Sequence, residues 1–239
     1  NLGIFTNFSQ DHLDYHKNLD AYLKAKLYLF KNLIKKKGHI ITDEKIPEFI
    51  KIKSISVNQS LKLHKINSKG SFKILSHHYQ DETQIVKIQL KKSIKTIKLN
   101  LIGKIQLNNI LMAIIAAKKS NLNLDKIIKV LPKILPVEGR FEKIGKIKNN
   151  SKVILDYAHT PDALKSCILN LREQFKDRKI SLVFGCGGNR DHNKRSKMGK
   201  IASDYSDRIY LTDDNPRFEN PKKIRRDIKK GINNKKVIE

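Results

Sequence analysis

"KVILDYAHTPDALKSCILNLREQFKDRKISLVFGCGG", residues 152–188, reads as a strand, a helix and a second strand. Thr160 is a natural helix cap, and Pro161 suits the first helical position, where its missing N–H costs nothing. The alternation continues with "KRSKMGKIASDYS" as a helix, "DRIYLT" as a strand and "NPKKIRRDIKKGI" as a helix. A β-α-β-α-β-α order predicts a parallel sheet covered by helices, and an α/β fold class.

Upstream the pattern differs. "GIFTNF" is a short strand, and apolar residues at helical spacing from Leu19 to about Lys36 predict a helix. "GHIIT" reads as a buried strand. Residues 45–100 carry short Ile, Val and Leu runs ("KSISV", "SFKIL", "IVKIQL", "KTIKLN") separated by polar turns, as in a meander. "LNNILMAIIAAKKS" reads as a buried helix, and "NLDKIIKVLPKIL" as another, with Asn123 as cap. Pro136 to Gly139 is a natural boundary, giving domains of 1–137 and 138–239.

Lys and Arg number 50 against 23 Asp and Glu, a net charge of +27. That excess raises nucleic-acid binding as a reading. The lysines, however, are spread through every segment, Trp is absent, and no basic motif interleaved with aromatics stands out. Two cysteines, Cys167 and Cys186, make no disulfide framework and no zinc spacing, which fits a reducing, cytoplasmic setting. No run approaches the ~18 apolar residues of a membrane span. The chain opens at Asn1 on what reads as the end of a strand and stops at "KKVIE" as another begins, so a fragment is expected.

Ligands of parallel α/β sheets gather at the carboxyl ends of the strands. Three polar clusters fall there. "DYAHTPDAL" places Asp156 and His159 past a strand, able to meet hydroxyls and a phosphate. "FGCGGNRDHNKR" is a glycine-rich turn that lets backbone approach a ligand, though its spacing is not a dinucleotide fingerprint. "LTDDNPR" carries Asp214, Asn215, Pro216 and Arg217. Arg190 and Arg217 each follow a strand end and can share one carboxylate pocket, since an arginine fork binds carboxylates through paired hydrogen bonds. Near the start, "FTNFSQDHLDYH" sets Asp11, His12, Asp14 and His16 just after a strand. That set suits a divalent metal, and a plain polar helix entry explains it equally well. Lys26 stands on an otherwise apolar helical stretch.

Taken in order, these segments resemble the Mur ligases, the ATP-dependent amide-forming family of peptidoglycan synthesis. "FTNFSQDHLDYHKNLDAYLKAKLYLF" is similar to the family's T-N-x-x-x-D-H-x-D segment and A-K helix. "GKIQLNNILMAIIAA" is similar to its adenine-side helix. "EGRFE", "LDYAHTPDAL", "FGCGGNRDHNKRSKMG" and "LTDDNPRFENP" follow in the order of the family's third step. The resemblance implies the remainder of a central ATP-binding domain, followed by a Rossmann-like C-terminal domain with a parallel sheet. It implies ATP and Mg2+ as cofactors, with UDP-N-acetylmuramoyl-dipeptide and meso-diaminopimelate as substrates of a cytoplasmic monomer acting in cell wall biogenesis, cell shape and division.

By the same resemblance His12 is the magnesium ligand, Lys26 the carbamylated catalytic lysine, and His159 a second catalytic residue near the ATP ribose and phosphates. Asn109, Arg140 and Asp156 serve ATP. Arg190, Asp214, Asn215, Pro216 and Arg217 hold diaminopimelate, whose extra carboxylate distinguishes it from lysine. Rejection of lysine is expected to follow from leaving Arg217 buried and unpaired. Gln106 stands where the adenine motif usually has an asparagine. The phosphate-binding G-x-x-G-K-T loop is missing, so these 239 residues alone are expected to be inactive. The competing readings are another Mur or folylpolyglutamate-type ligase, and a non-catalytic basic nucleic-acid-binding module.

Overall fold

The computed structural model describes residues 1–13, 15–67, 72–90, 93–233 and 237–239. Ser71, Lys235 and Lys236, at the margins of two expected strands, lie outside the described residues. The chain forms two units. One comprises Asn1–Ser9 with Asn18–Pro136, and the other Gln10–Lys17 with Val137–Glu239.

In the first unit β1 (Leu2–Phe5), α1 (Leu19–Tyr28), β2 (His39–Asp43), α2 (Phe49–Asn58) and β3 (Lys62–Ile66) form successive β-α-β crossovers. The sheet order is β1-β2-β3, all parallel, with Leu2 opposite His39 and Ile41 opposite His64. Alternation along β2 sends neighbouring side chains to opposite faces. Ile40 packs with Leu23, Leu27, Phe30, Ile52 and Ile55 under α1 and α2. Ile41 belongs instead to the core of Ile66, Val86, Ile97, Leu107 and Leu111. That second core joins the antiparallel meander β4 (Phe72–Gln80), β5 (Thr83–Leu90) and β6 (Ser93–Leu99) to α3 (Lys104–Lys119). Buried Gln84 donates to the carbonyls of Leu101 and Gly103 at 2.8 and 3.0 Å, which fixes the entry to α3. Asn123 caps α4 (Leu124–Val130), accepting from Asp125 and Lys126.

Two expectations fail here. "KSISV" lies in α2, because burial falls on Ile52, Ile55 and Ser56 while Ile50 and Val57 are exposed. Its alternating Ile and Lys read as a strand, but the helical face is the one the core covers, and tertiary packing overrides β-branched propensity. The helix expected to reach Lys36 changes to π-helical hydrogen bonding over Leu29–Leu33 and ends there. The sequence reading also passed over β3, whose "KLHKI" breaks the apolar run with three polar residues.

In the second unit β7 (Glu142–Ile147) and β8 (Ser151–Leu155) form an antiparallel hairpin through Asn149 and Asn150, both at positive φ. After them come α5 (Pro161–Gln174), β9 (Ser181–Phe184), α6 (Asn193–Tyr205), β10 (Arg208–Leu211), α7 (Pro221–Lys229) and β11 (Val237–Ile238). Thr160 caps α5, with its side chain accepting from Ala163 N. The parallel sheet is ordered β11-β10-β9. β8, expected in that sheet, is paired with β7 instead. The two-asparagine turn makes the local hairpin partner immediate, and Asn tolerates left-handed backbone. Leu164, Ile168, Met198, Leu211, Ile224 and Ile228 form the core between helices and sheet. Among the described residues no helix is long and apolar enough to cross a membrane.

Candidate functional site

Loops at the carboxyl ends of β8, β9 and β10, with residues 10–13, line one cavity of about 840 Å3 in the second unit. Its lining includes His12, Arg140, Asp156, His159, Arg190, Asp214, Asn215 and Arg217. The structure therefore brings together most of the residues singled out from sequence. Lys26 and Asn109 belong to the first unit and do not line this cavity. Pro216 is not among the lining residues; its carbonyl accepts from Glu219 N at 2.9 Å. Asp14 lies outside the described residues.

One carboxylate oxygen organises the histidines. Asp11 Oδ2 lies 3.5 Å from His12 Nε2 and 3.6 Å from His159 Nε2. The His159 carbonyl accepts from Lys194 Nζ at 2.8 Å, so an ammonium stands beside the imidazole's own backbone. The Arg140 guanidinium stacks 4.7 Å from the centre of the Tyr157 ring. Asp156 Oδ2 accepts from Phe141 N at 3.0 Å. Burial pushes the Asp156 carboxyl above its ordinary value, against backbone hydrogen bonds from Phe141 and Ala158 and the charge of Arg140. Cys186 also lines the cavity, but burial pushes its thiol up to about 11, so it is no nucleophile at neutral pH.

The arginine loops are joined to one another. Gly188 N donates to Asn215 O at 2.8 Å, and Arg217 Nη1 donates to Gly188 O at 2.6 Å. Asn215 Oδ1 accepts from Arg217 N at 3.1 Å. Asp213 is paired with Arg225 of α7, and both Asp213 and Asp214 line the cavity. Arg217 is exposed and already bonded, so the expectation of a buried, unpaired arginine at this position is not met. Sequence reasoning missed Lys194, Arg195 and Glu219. Each sits in a Lys- and Arg-rich helix or a turn where its type alone carries no signal.

In the first unit Lys26 Nζ donates to Asn7 O at 3.2 Å and lies 5.5 and 5.3 Å from the centres of the Phe5 and Tyr22 rings. Asn109 is exposed on α3 and donates to Gln106 Oε1 at 3.5 Å. Among the described residues no group of three or more His, Cys, Asp and Glu is placed to hold a metal ion by itself.

Two family models match. The Mur ligase middle domain covers residues 1–117, and the Mur ligase glutamate ligase domain covers residues 139–239. A UDP-N-acetylmuramoyl-L-alanyl-D-glutamate--2,6-diaminopimelate ligase of Rickettsia conorii is 39% identical over 233 residues, covering 97% of this chain and 48% of that protein. A solved structure of a ligase with the same name is 28% identical, with a TM-score of 0.63 over 99% of this chain and 49% of that one. Mycobacterium tuberculosis folylpolyglutamate synthase complexed with ADP matches with a TM-score of 0.77 at 18% identity, covering 100% of this chain and 53% of that one, and shows the fold alone. The chain spans about half the length of the curated relatives it matches. It belongs to the Mur ligase family.

Proposed function

We propose that this chain serves an ATP-dependent ligase that joins meso-diaminopimelate to UDP-N-acetylmuramoyl-L-alanyl-D-glutamate in peptidoglycan synthesis, in the cytoplasm. The observation that carries the reading is the stapled pair of loops that turns Arg190, Asp214, Asn215 and Arg217 toward one cavity. A diamino acid with a carboxylate at each end presents an ammonium and a carboxylate together. Arginine forks and one carboxylate are the complementary set, and lysine's far end offers no carboxylate to fill it.

ATP, when bound, supplies the phosphoryl group that turns the dipeptide carboxylate into an acyl phosphate open to attack by an amine. The surroundings fit a polyanion. Arg140, His159 and Lys194 offset charge that grows on phosphate oxygens. Asp156 suits ribose hydroxyls; on the first unit, taken by itself, Asn109 suits an adenine. Asp11 with His12 fits a Mg2+ that keeps water and phosphate oxygens as its other ligands, since Mg2+ is commonly held by one or two carboxylates. Lys26, in the first unit, would as a carbamate be an anionic group suited to a cation, whereas its ammonium would repel one. Arg190 and Arg217 fix the incoming diamino acid so that its free amine is aimed by binding at the remote end.

The test replaces the corresponding half of the Rickettsia conorii relative with this chain and supplies ATP, UDP-N-acetylmuramoyl-L-alanyl-D-glutamate and either diamino acid. Tripeptide is expected with meso-diaminopimelate and not with L-lysine. Equal use of both, or no product from a chimera that folds and binds ATP, overturns the reading.

A further inference from the structure

Glu219 sits just beyond "DDNPR", and its carboxylate is the meeting point of both arginine loops. Oε1 accepts from Asn189 N at 2.5 Å, from Arg195 Nη2 at 2.9 Å and lies 3.2 Å from His192 Nε2. Oε2 accepts from Arg195 Nη1 at 2.9 Å. Arg195, on α6, is fully buried and forks onto Glu219 with both terminal nitrogens. It also reaches Asp227 of α7 at 3.3 Å and the Gly187 carbonyl at 3.5 Å. This guanidinium cannot touch a ligand, so any part it plays in recognition passes through Glu219.

What the fork holds is strained. Asn189 and Arg217, next to Arg190 and Phe218 respectively, have φ of 51° and 50°. Asn adopts that region readily; a long side chain such as Arg does so rarely, and such backbone persists when its surroundings over-determine it. Here the surroundings are reciprocal. Asn189 N donates to Glu219, and Asn189 Oδ1 accepts from Phe218 N at 3.1 Å. Each loop thus fixes the backbone beside the other loop's arginine.

We infer that Arg195 and Glu219 are a positioning pair that sets the spacing of Arg190 and Arg217, and with it the preference for a diamino acid bearing a second carboxylate over lysine. This rests on the function proposed above. Fork geometry matters more than charge alone, because a bidentate pair fixes direction as well as distance, and lysine in place of arginine supplies one point charge.

The experiment uses the 239-residue chain with Glu219→Gln, Glu219→Asp, Arg195→Lys and Asp227→Asn. Binding of meso-diaminopimelate and of L-lysine is followed by saturation-transfer NMR, and tryptic cleavage after Arg190 and Arg217 by mass spectrometry. The three changes to the fork are expected to weaken diaminopimelate binding at least tenfold, leave lysine binding unchanged, and raise tryptic cleavage after both arginines by loosening their backbone. Asp227→Asn leaves the fork and is expected to keep both the preference and the protection. Should Glu219→Gln lose its circular dichroism, Glu219→Asp and Arg195→Lys, which keep the opposite charges together, carry the test. Retained preference and unchanged cleavage in the folded fork variants overturn the inference, as does an equal loss in Asp227→Asn. A wild-type chain that does not prefer diaminopimelate counts against the proposed function. Tryptic protection then decides the positioning role by itself.

Discussion

Arg217 Nη1 donates to the Gly188 carbonyl at 2.6 Å, which makes the arginine part of the wall it is proposed to read from. The contact requires a bare backbone at Gly188. A Cβ there would lie 1.8 Å from the Pro216 carbonyl oxygen and 2.6 Å from its carbon, and neither backbone atom can swing aside. Gly188→Ala is therefore expected to part the two loops. The cost should be on the order of 1–3 kcal/mol, the usual range for overpacking. Thermal unfolding should shift down and diaminopimelate affinity should fall together; an unchanged midpoint with unchanged affinity contradicts the packing account.

Arg217→Lys separates charge from fork. A lysine can still reach the Gly188 carbonyl, but it cannot keep that bond and present paired donors to a carboxylate. The expected loss for diaminopimelate is about 2 kcal/mol, roughly thirtyfold, with lysine binding untouched. Titration of both amino acids against the variant reads this directly. An undiminished preference removes Arg217 from recognition.

The first unit carries a pH response of its own. His39 Nδ1 and His64 Nε2 are 2.8 Å apart, with the rings stacked at 5.1 Å between centres. Burial, then Lys119, His39 and Lys62, hold His64 down to about 4 from its ordinary 6.5, and His39 is lowered by burial, Lys119, Lys62 and the amino terminus. The neutral forms are thus favoured in the fold. The unfolded chain takes up protons first as pH falls below about 6.5, so stability is complete above that value and declines as pH falls toward 4. Allowing for solvent screening of a half-exposed ring, the decline from His64 should be about 1–2 kcal/mol. Urea midpoints between pH 7 and 4.5 check it, and His64→Gln should flatten the curve.

The order of the second unit's helices and strands was legible because each strand ends in polar, turn-forming residues and two of the helices open with Thr160-Pro161 and Asn220-Pro221. β8 was placed wrongly for a reason local periodicity cannot register: a short apolar run, Val153 to Leu155, pairs equally well with either neighbour, and the Asn149-Asn150 turn decided it. α2 misled for a related reason, since "IKIKSISV" satisfies both a period of two and a helical face. The cavity residues could be read because Arg190, Asp156, His159 and Arg217 are chemically conspicuous at strand ends. Arg195 and Glu219 could not. Their meaning lies in a fork that spans 24 residues of sequence, and nothing in their local spacing announces it.

Lys26 sets the sharpest conflict between resemblance and structure. Its Nζ meets the Asn7 carbonyl and two aromatic faces, and all three contacts favour an ammonium. Carbamylation needs the neutral amine, and the anionic product would turn a negative group toward a carbonyl oxygen and the negative faces of Phe5 and Tyr22. Those contacts must be given up for a carbamate to form, so uptake of carbon dioxide should be weak in the metal-free chain and should rise when Mg2+ and nucleotide supply a cation for the carbamate to bind. Labelled bicarbonate followed by carbon-13 NMR measures this, with Lys26→Arg as the blank. Removing one ring by Tyr22→Leu should increase uptake, because the cation loses about 0.5–1 kcal/mol of stabilisation that the carbamate never had. A carbamate signal that is already strong without metal and insensitive to Tyr22 excludes the aromatic cage as a brake on the modification.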